Sequence, residues 1–255
     1  MGSPGTVLIT GAGSGIGRCF AVSLAATAKK LVLVDVDEPG LAAAATSLKD
    51  TTADVVTLAA DVADRAALER RLLEPTGSID TLDLLINCAA ILGPGEWASQ
   101  PPEDFERVLR VNLLGTANTI RATLPRLRRA RGHIVNIAST AAVHGWPGLA
   151  AYSAAKFAIV GYSEAIRAEL ARDGIGLSVV FPLLIDTPLL NRPGTPPILR
   201  RGRRIPPEVV VRKVLDAVAS RRRRVYIPGS VRVIAALQGL APSLLDWYGA
   251  RFGLE

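Results

Sequence analysis

The stretch that decides the fold is residues 6–17, which read TVLITGAGSGIG. Its first half is a short apolar run, typical of a buried strand, and its second half is a glycine-rich turn that leads into a helical pattern. Glycines in such a turn let the backbone approach a pyrophosphate, which lies on the free N–H groups at the helix N-terminus. We therefore expect the diphosphate of a dinucleotide to be bound by Gly11, Ser14, Gly15, Ile16 and Gly17.

Short apolar runs alternate with longer helical patterns along the whole chain of 255 residues. The runs predict strands at 6–10, 31–35, 55–59, 82–87, 133–138, 177–182 and 225–227. The intervening patterns predict helices at 16–28, 41–49, 65–73, 102–129, 152–172 and 207–220. This order predicts an α/β fold, a Rossmann-type doubly wound parallel sheet of about seven strands with helices on both faces. We expect a single dinucleotide-binding domain over 1–255, with a substrate loop at about 183–206, where proline and arginine are frequent.

A carboxylate, Asp35, ends the second predicted strand about twenty residues after the glycine-rich turn. At this position a carboxylate accepts hydrogen bonds from both ribose hydroxyls of the adenosine and repels a 2′-phosphate. Arg18 follows the turn, and we expect it to face away from the ribose. The sequence therefore favours NAD over NADP as the cofactor.

Tyr152 and Lys156 stand four residues apart on a predicted helix, so their side chains share one face. A free phenol titrates near ~10. An ammonium ~5 Å away contributes ~3 kcal/mol at an effective dielectric of ~20, which is roughly two pKa units. We therefore expect Lys156 to lower the pKa of Tyr152 towards the range where a phenol exchanges protons near neutral pH.

Several further short motifs follow in order along residues 6–187. They are Asp61-Val62, Asn87-Cys88-Ala89-Ala90, Asn112, Ser139, the Tyr152 and Lys156 pair, and Pro182 with Thr187. Together with the glycine-rich turn, this ordered set resembles the short-chain dehydrogenase/reductase family in its compact single-domain form. The resemblance implies an enzyme that transfers a hydride between NAD and an alcohol or carbonyl substrate.

The resemblance also implies a role for each motif residue. Tyr152 is the expected general acid/base, Lys156 binds the nicotinamide ribose, and Ser139 hydrogen-bonds the reacting oxygen. Asn112 is expected to hold a water that links Lys156 to solvent. The cofactor contacts implied beyond the turn and Asp35 are Asp61 and Val62 beside the adenine, Asn87 and Ala89 at the strand end, and Pro182, Ile185 and Thr187 near the nicotinamide.

The chain departs from the family pattern at three places. Ala90 and Leu183 stand where the family has glycine, so each adds a side chain close to the expected cofactor site. The glycine-rich C-terminal segment of many tetrameric members is not found. Instead, an apolar tail at about 229–255 predicts one or two amphipathic helices broken at Pro242. This tail is interpreted as a packing element or dimer surface, or else as a lid over the substrate site or a membrane-surface contact.

The composition restricts the partners and the compartment. The net charge is +7, and arginines cluster at 126–131, 200–204 and 221–224. No recognition motif or aromatic platform accompanies them, so we interpret them as solvated surface and expect no nucleic-acid partner. No apolar run is long enough to span a bilayer, and no signal peptide precedes the first strand. Two cysteines form neither a disulfide framework nor a metal site, which favours a cytoplasmic protein without metal.

The substrate prediction rests on the leucines of the loop, at 183, 184, 189, 190 and 199, and on the apolar tail. They favour a lipophilic secondary alcohol or ketone over a sugar, although the arginines at 200–204 would instead suit an anionic group. His144 and Trp146 lie between Ser139 and Tyr152 and are candidates for the pocket lining, with an ordinary loop histidine as the alternative. We expect a homodimer or homotetramer. A non-catalytic, dinucleotide-binding regulator is the alternative function.

Overall fold

All seven strands form one parallel sheet in the computed structural model, which describes residues 4–73 and 79–252. The strand order is β3-β2-β1-β4-β5-β6-β7. The strands are β1 Thr6–Thr10, β2 Lys30–Asp35, β3 Asp54–Ala59, β4 Leu84–Asn87, β5 His133–Ile137, β6 Gly176–Pro182 and β7 Arg224–Ile227. The predicted seven-stranded parallel sheet is confirmed. The parts of the predicted domain at 1–3, 74–78 and 253–255 lie outside the described residues.

Helices cover both faces of this sheet. Along β1, Val7 and Ile9 pack into one core cluster and Leu8 into the other, because successive side chains of a strand point to opposite faces. The helices are α1 Gly15–Leu24, α2 Glu38–Thr46, α3 Arg65–Leu73, α4 Pro102–Leu109, α5 Gly115–Ala130, α6 Ala150–Arg172, α7 Pro197–Arg201, α8 Pro207–Ala219, α9 Val231–Leu240 and α10 Pro242–Phe252. The first cluster takes its helical residues from α1, α2 and α8, and the second takes them mainly from α3, α5 and α6.

The predicted helix at 102–129 is interrupted, which the sequence pattern did not show. A π-helical segment, Arg110–Leu114, separates α4 from α5 and contains the buried Asn112. The wider turn of a π segment displaces its residues from the regular helical face, and such segments are frequent at functional sites. The apolar periodicity runs through the interruption, so the pattern predicts one helix where the backbone forms three pieces.

Other boundaries differ by a few residues. The first helix ends at Leu24 rather than at residue 28, because the N–H groups of Thr27 and Ala28 both donate to the Leu24 carbonyl and close the helix in a turn. The second helix spans Glu38–Thr46 instead of 41–49. The fourth strand begins at Leu84 instead of residue 82, since the Leu82 N–H bonds the Arg126 carbonyl of α5.

The loop predicted at 183–206 contains short ordered elements. A 3-10 turn, Pro188–Asn191, and the helix α7 lie within it. A parallel bridge pairs Ile185 with Ile205, and Arg204 forms an ion pair with Asp186 at 3.1 Å, so the two ends of the loop meet. The tail beyond forms α9 and α10, divided at Pro242 as the sequence predicted. Within the described residues, no helix has both the length and the apolarity needed to cross a bilayer.

Candidate active site

The glycine-rich turn lies between the end of β1 and the start of α1, and two of its glycines have a left-handed backbone. Gly11 has φ 67° and Gly15 has φ 51°. A Cβ at Gly11 would lie 2.7 Å from the Ala89 nitrogen, and one at Gly17 would lie 2.0 Å from the Gly11 carbonyl oxygen. Only glycine leaves this space open, so the backbone itself forms a cradle at the N-terminus of α1.

This cradle is one end of a cleft of about 840 Å³. In the sheet, β1 lies between β2 and β4, and the strand order reverses there. The cleft lies at this point of the sheet. Sequence-predicted residues line it along its length: Gly11, Ser14, Gly15, Ile16, Gly17, Asp35, Asp61, Val62, Ala89 and Thr187. The shape of the cradle and the position of Asp35 fit a dinucleotide.

Asp35 is fixed in this cleft by two backbone groups. Its Oδ2 accepts a hydrogen bond from the Gly13 N–H at 2.8 Å, and its Oδ1 accepts one from the Asp37 N–H at 3.1 Å. A carboxylate has about four lone-pair sites, so acceptor capacity remains for ribose hydroxyls. Arg18 is not among the lining residues, because its guanidinium donates to the Ala43 carbonyl of α2 at 3.4 Å.

Asn87 has a different place from the cleft residues. Its Nδ2 donates to Asn136 Oδ1 at 2.8 Å, and Asn136 in turn donates to Ser163 Oγ at 2.9 Å. This buried chain joins β4, β5 and α6 behind the site, and Asn87 lines neither cavity. Its Oδ1 has no hydrogen-bond partner among the described residues.

A second cavity of about 500 Å³ adjoins the cleft. Ile16, Cys88, Ala90, Thr187 and Leu189 line both, so the two spaces meet at the carboxyl edge of the sheet. Ser139, Tyr152 and Lys156 lie in the second cavity together with Pro182 and Ile185. The remaining lining is largely apolar and includes Leu92, Ile137, Ala141, Trp146, Leu149, Leu183, Leu184, Leu190, Leu199, Ile234 and Leu245.

Ser139, Tyr152 and Lys156 are held by the turn after β5 and by the first turns of α6. Ser139 Oγ accepts from the Ala141 N–H at 3.1 Å and hydrogen-bonds the Tyr152 side chain. Lys156 Nζ donates to the Ile137 carbonyl at 2.8 Å and lies 5.4 Å from the centroid of the Tyr152 ring. Two hydroxyls and one amine therefore converge at the base of an apolar cavity.

The expected lowering of the Tyr152 pKa is not observed. Burial raises the pKa of Tyr152 to about 12, and the hydrogen bond to Ser139 opposes this rise. Burial also lowers the pKa of Lys156 to about 8. An ammonium beside a phenol lowers the pKa of the phenol when both groups are in a medium of fairly high dielectric. In the structure both groups are removed from water, which disfavours the charged form of each.

The side chain of Asn112 does not reach the cavity that contains Ser139, Tyr152 and Lys156. Its Oδ1 accepts from the Ile91 N–H at 2.8 Å, and its Nδ2 donates to the Ile91 carbonyl at 2.9 Å. The side chain is fully buried, and it lines neither the cleft nor the second cavity. Ile91 lines the dinucleotide cleft, so Asn112 acts on the site by fixing the backbone that follows β4.

Sequence reasoning missed several lining residues. Glu103, Glu106, Arg107 and Arg110 line the cleft, at spacings of three and four that place them on one face of a helix. Arg110 is paired with Glu106, whereas Arg192, from the loop, lines the cleft with no side-chain partner among the described residues. The helical spacing was a readable signal, but nothing in the sequence placed Arg192 beside the cradle. Among the described residues, no cluster of side chains could hold a metal ion.

A doubly wound sheet with this cradle, beside a Ser–Tyr–Lys set, defines a dinucleotide-dependent oxidoreductase. The family model for short chain dehydrogenase matches residues 5–195, and the chain belongs to the short-chain dehydrogenase/reductase family. It therefore acts on CH–OH groups with a nicotinamide dinucleotide cofactor, as the sequence predicted.

Curated relatives cover most of the chain. The sequence is 30% identical to 17-beta-hydroxysteroid dehydrogenase 13 of Rattus norvegicus, over 93% of this chain and 79% of that protein. It is 32% identical to estradiol 17-beta-dehydrogenase 11 of Homo sapiens, over 92% of this chain and 79% of that protein.

Solved structures support the same fold. A short-chain dehydrogenase/reductase from Burkholderia phymatum in complex with NAD has a TM-score of 0.84 and 26% identity, and covers 94% of this chain and 95% of its own. A short-chain dehydrogenase from Sphingobium yanoikuyae in complex with NADPH has a TM-score of 0.80 and 29% identity, with 95% of each chain covered. Similar folds therefore bind either dinucleotide.

Proposed function

We propose that the protein interconverts a lipophilic secondary alcohol and its ketone with NAD, and that Tyr152 is the general acid/base. The observation that carries this proposal is the second cavity, which is apolar except near its base. There Ser139, Tyr152 and Lys156 converge beside the dinucleotide cleft. An apolar cavity with a few convergent polar groups suits a hydrophobic substrate that presents one oxygen to those groups.

Each polar group has a proposed part in the reaction. Ser139 orients the substrate oxygen and stabilises charge that develops on it. The Tyr152 hydroxyl gives its proton to that oxygen in reduction and takes the proton back in oxidation. Lys156 holds the nicotinamide ribose, and the hydrogen bond between Ser139 and Tyr152 opposes the burial that raises the tyrosine pKa. The nicotinamide of the bound cofactor supplies or accepts the hydride.

Asn112 lines neither cavity, so its proposed part in catalysis is that of a positioning residue, supported by its two hydrogen bonds to Ile91. The water that links Lys156 to solvent through Asn112 stays a prediction. Pro182, Ile185 and Thr187 line the cavity that receives the substrate and are proposed to contact the nicotinamide. Asn87 is proposed to support the cofactor indirectly, through the strand on which it lies.

We propose NAD as the preferred cofactor because Asp35 lines the cleft with acceptor capacity remaining. A 2′-phosphate next to this carboxylate would meet electrostatic repulsion. Arg18, the basic residue nearest the turn in sequence, is directed to α2 instead of the cleft. Arg18 therefore does not neutralise the charge of Asp35 in the cleft.

The substrate class follows from the lining of the second cavity. Of the segment 200–204, only Gly202 lines it, so the arginines on either side are not placed to meet an anionic group on the substrate. By their names, two relatives act on hydroxysteroids and on estradiol. Their names support a lipophilic alcohol for this chain too.

The test is NAD-dependent turnover of lipophilic and polar secondary alcohols by the wild type, Tyr152→Phe and the control Tyr162→Phe. Tyr162 also lies on α6 but lines neither cavity. We expect turnover of an apolar alcohol that falls by roughly 10²–10⁴-fold in Tyr152→Phe, the usual contribution of a general acid/base, and little in Tyr162→Phe. NADH fluorescence on binding is recorded for all three proteins. NADH binding without turnover of any alcohol would favour the non-catalytic regulator.

The proposed oligomer is a homodimer or homotetramer. Large apolar side chains are exposed on adjacent elements: Phe105 on α4, Leu114 in the π-helical segment and Phe157 on α6. Burying such side chains would drive association. Light scattering after size exclusion measures the subunit number.

The cytoplasm stays the proposed location, because Cys19 and Cys88 are both free thiols.

A further inference from the structure

The loop that follows Ser139 is tied to the C-terminal tail by one histidine. His144 is only 5% exposed although it lies in a loop, and its Nδ1 is 3.0 Å from Oε1 of Gln238 on α9. An amide oxygen only accepts hydrogen bonds, so Nδ1 carries the proton and donates it. Asp246 of α10 lies farther away, with its Oδ1 4.0 Å from the same nitrogen.

The same histidine also contacts the wall of the substrate cavity. Its ring packs on Trp146 in a T-shaped arrangement, with an interplanar angle of 88° and 5.2 Å between the ring centroids. Trp146 lines the second cavity, and so do Ile234 of α9 and Leu245 of α10. His144 therefore stands where three elements of the cavity wall meet: the loop after Ser139, α9 and α10.

Apolar packing of the tail is found at the start of α9. Val231 is fully buried at the start of α9, and Ile234 and Ala235 pack against the core beside it. Other large apolar side chains of the tail are exposed, with Val233 at 60%, Leu240 at 85% and Leu244 at 51%. Exposed apolar side chains such as these gain little from packing, so the buried hydrogen bond between His144 and Gln238 contributes to holding this part of the tail in place.

We propose that His144 is a positioning residue that holds α9 and α10 as the outer wall of the substrate cavity, and that this wall selects substrates with an extended apolar part. The inference rests on the proposed function and deepens it. The reacting oxygen of the substrate lies at the base, by Ser139 and Tyr152. The apolar part extends outward and packs against Ile234 and Leu245.

Two kinds of variant test this role. His144→Ala and Gln238→Ala each remove the hydrogen bond between His144 and Gln238, which we call the tie. Ile234→Ala and Leu245→Ala instead remove side chains that line the cavity, and we call these the wall variants. Val233→Ala and Leu244→Ala are the matched controls, since these neighbours are exposed and do not line the cavity. Each protein is assayed with NAD and 2-alkanols from 2-butanol to 2-decanol.

We expect the ratio of kcat/KM for 2-decanol to that for 2-butanol to fall about tenfold in the tie and wall variants. Tenfold corresponds to about 1.4 kcal/mol, which is the size of roughly one hydrogen bond or of about two buried methylenes. The loss should appear mainly in KM for the long alcohol. In His144→Ala/Gln238→Ala, the second change should add little to the first, because one interaction is removed once. An unchanged ratio would overturn the proposal, whether activity falls equally for all chain lengths or does not fall at all.

A second measurement does not depend on turnover. Amide hydrogen exchange of residues 231–247 is compared between the wild type and His144→Ala, with exchange of the sheet as the internal reference. Faster exchange confined to 231–247 supports the tie, and unchanged exchange there overturns it. If the wild type oxidises no alkanol, the proposed function fails on the first assay, while hydrogen exchange still decides whether His144 holds the tail.

Discussion

The amide group of Asn112 holds both backbone groups of Ile91, at 2.8 Å to its N–H and at 2.9 Å to its carbonyl oxygen. A peptide-like pair of this kind needs one donor and one acceptor from the same side chain, and asparagine supplies both. The π-helical segment carries this side chain, and Ile91 lines the dinucleotide cleft. The interrupted helix therefore fixes a part of the cofactor site that lies 21 residues away in sequence.

Asn112→Asp should destabilise the protein near neutral pH by about 3 kcal/mol. The carboxylate keeps an acceptor but loses the donor to the Ile91 carbonyl, and it places a charge at a fully buried position. Protonation restores the donor, so the deficit should shrink as the pH falls. Urea unfolding at several pH values measures it. Asn118→Asp, at a half-buried position on α5, is the control, and an equal loss there would remove the special role of Asn112.

Asp35→Asn should shift the cofactor preference towards NADP. The amide oxygen can still accept from the Gly13 N–H, so the turn is kept while the charge that repels a 2′-phosphate is lost. We expect the ratio of kcat/KM with NADP to that with NAD to rise on the order of tenfold or more. Steady-state kinetics with both cofactors gives this ratio. Asp37→Asn, which lines the same cleft, shows how much of the change is due to general charge.

Gly11→Ala should lower the free energy of unfolding by at least about 2 kcal/mol and weaken NADH binding. The backbone there has φ 67°, and the new Cβ would lie 2.7 Å from the Ala89 nitrogen. Gly161→Ala is the matched control within α6, where a Cβ meets nothing within 4 Å. That change should stabilise the protein by about 0.5–1 kcal/mol. Thermal unfolding of both variants, with and without NADH, separates stability from binding.

His133 should contribute to acid unfolding. Ser178 Oγ donates to the Arg222 carbonyl, so it accepts from His133 Nε2 at 2.9 Å, and His133 Nδ1 is left without a partner among the described residues. Burial, with Arg221 and Arg167 nearby, lowers the pKa of His133 to about 4. The unfolded chain therefore binds more protons than the folded chain between about pH 6.5 and pH 4, and stability rises with pH across this window.

The corresponding loss on acidification is about 3 kcal/mol for a shift of this size. His133→Gln keeps a donor for Ser178 and cannot be protonated, so its stability should change less over the same window. Urea midpoints at pH 7 and at about pH 4.5 for both proteins give the difference. If acidification destabilises the variant as much as the wild type, other groups account for the acid sensitivity.

The sequence by itself determined the parallel sheet, the glycine-rich cradle and the family. Each of these features depends on a short stretch of sequence. The stretches are apolar runs of strand length, glycines at left-handed positions, and residues spaced four apart on one helix face. Gly11 and Gly15 show this most directly, because their backbone angles allow few other residues. The resemblance to the family then implied that Ser139, Tyr152 and Lys156 act together on the substrate oxygen.

Only the tertiary structure decided the surroundings of those residues. Burial reversed the expected direction of the Tyr152 pKa, because desolvation depends on every element packed around a group and not on its neighbour in the helix. The π-helical segment is also visible only in the structure. The hydrogen bonds from Asn112 to Ile91 join residues 21 positions apart, and the contact of His144 with Gln238 joins residues 94 positions apart. Side chains so distant in sequence leave no periodic signal, so these contacts follow from packing alone.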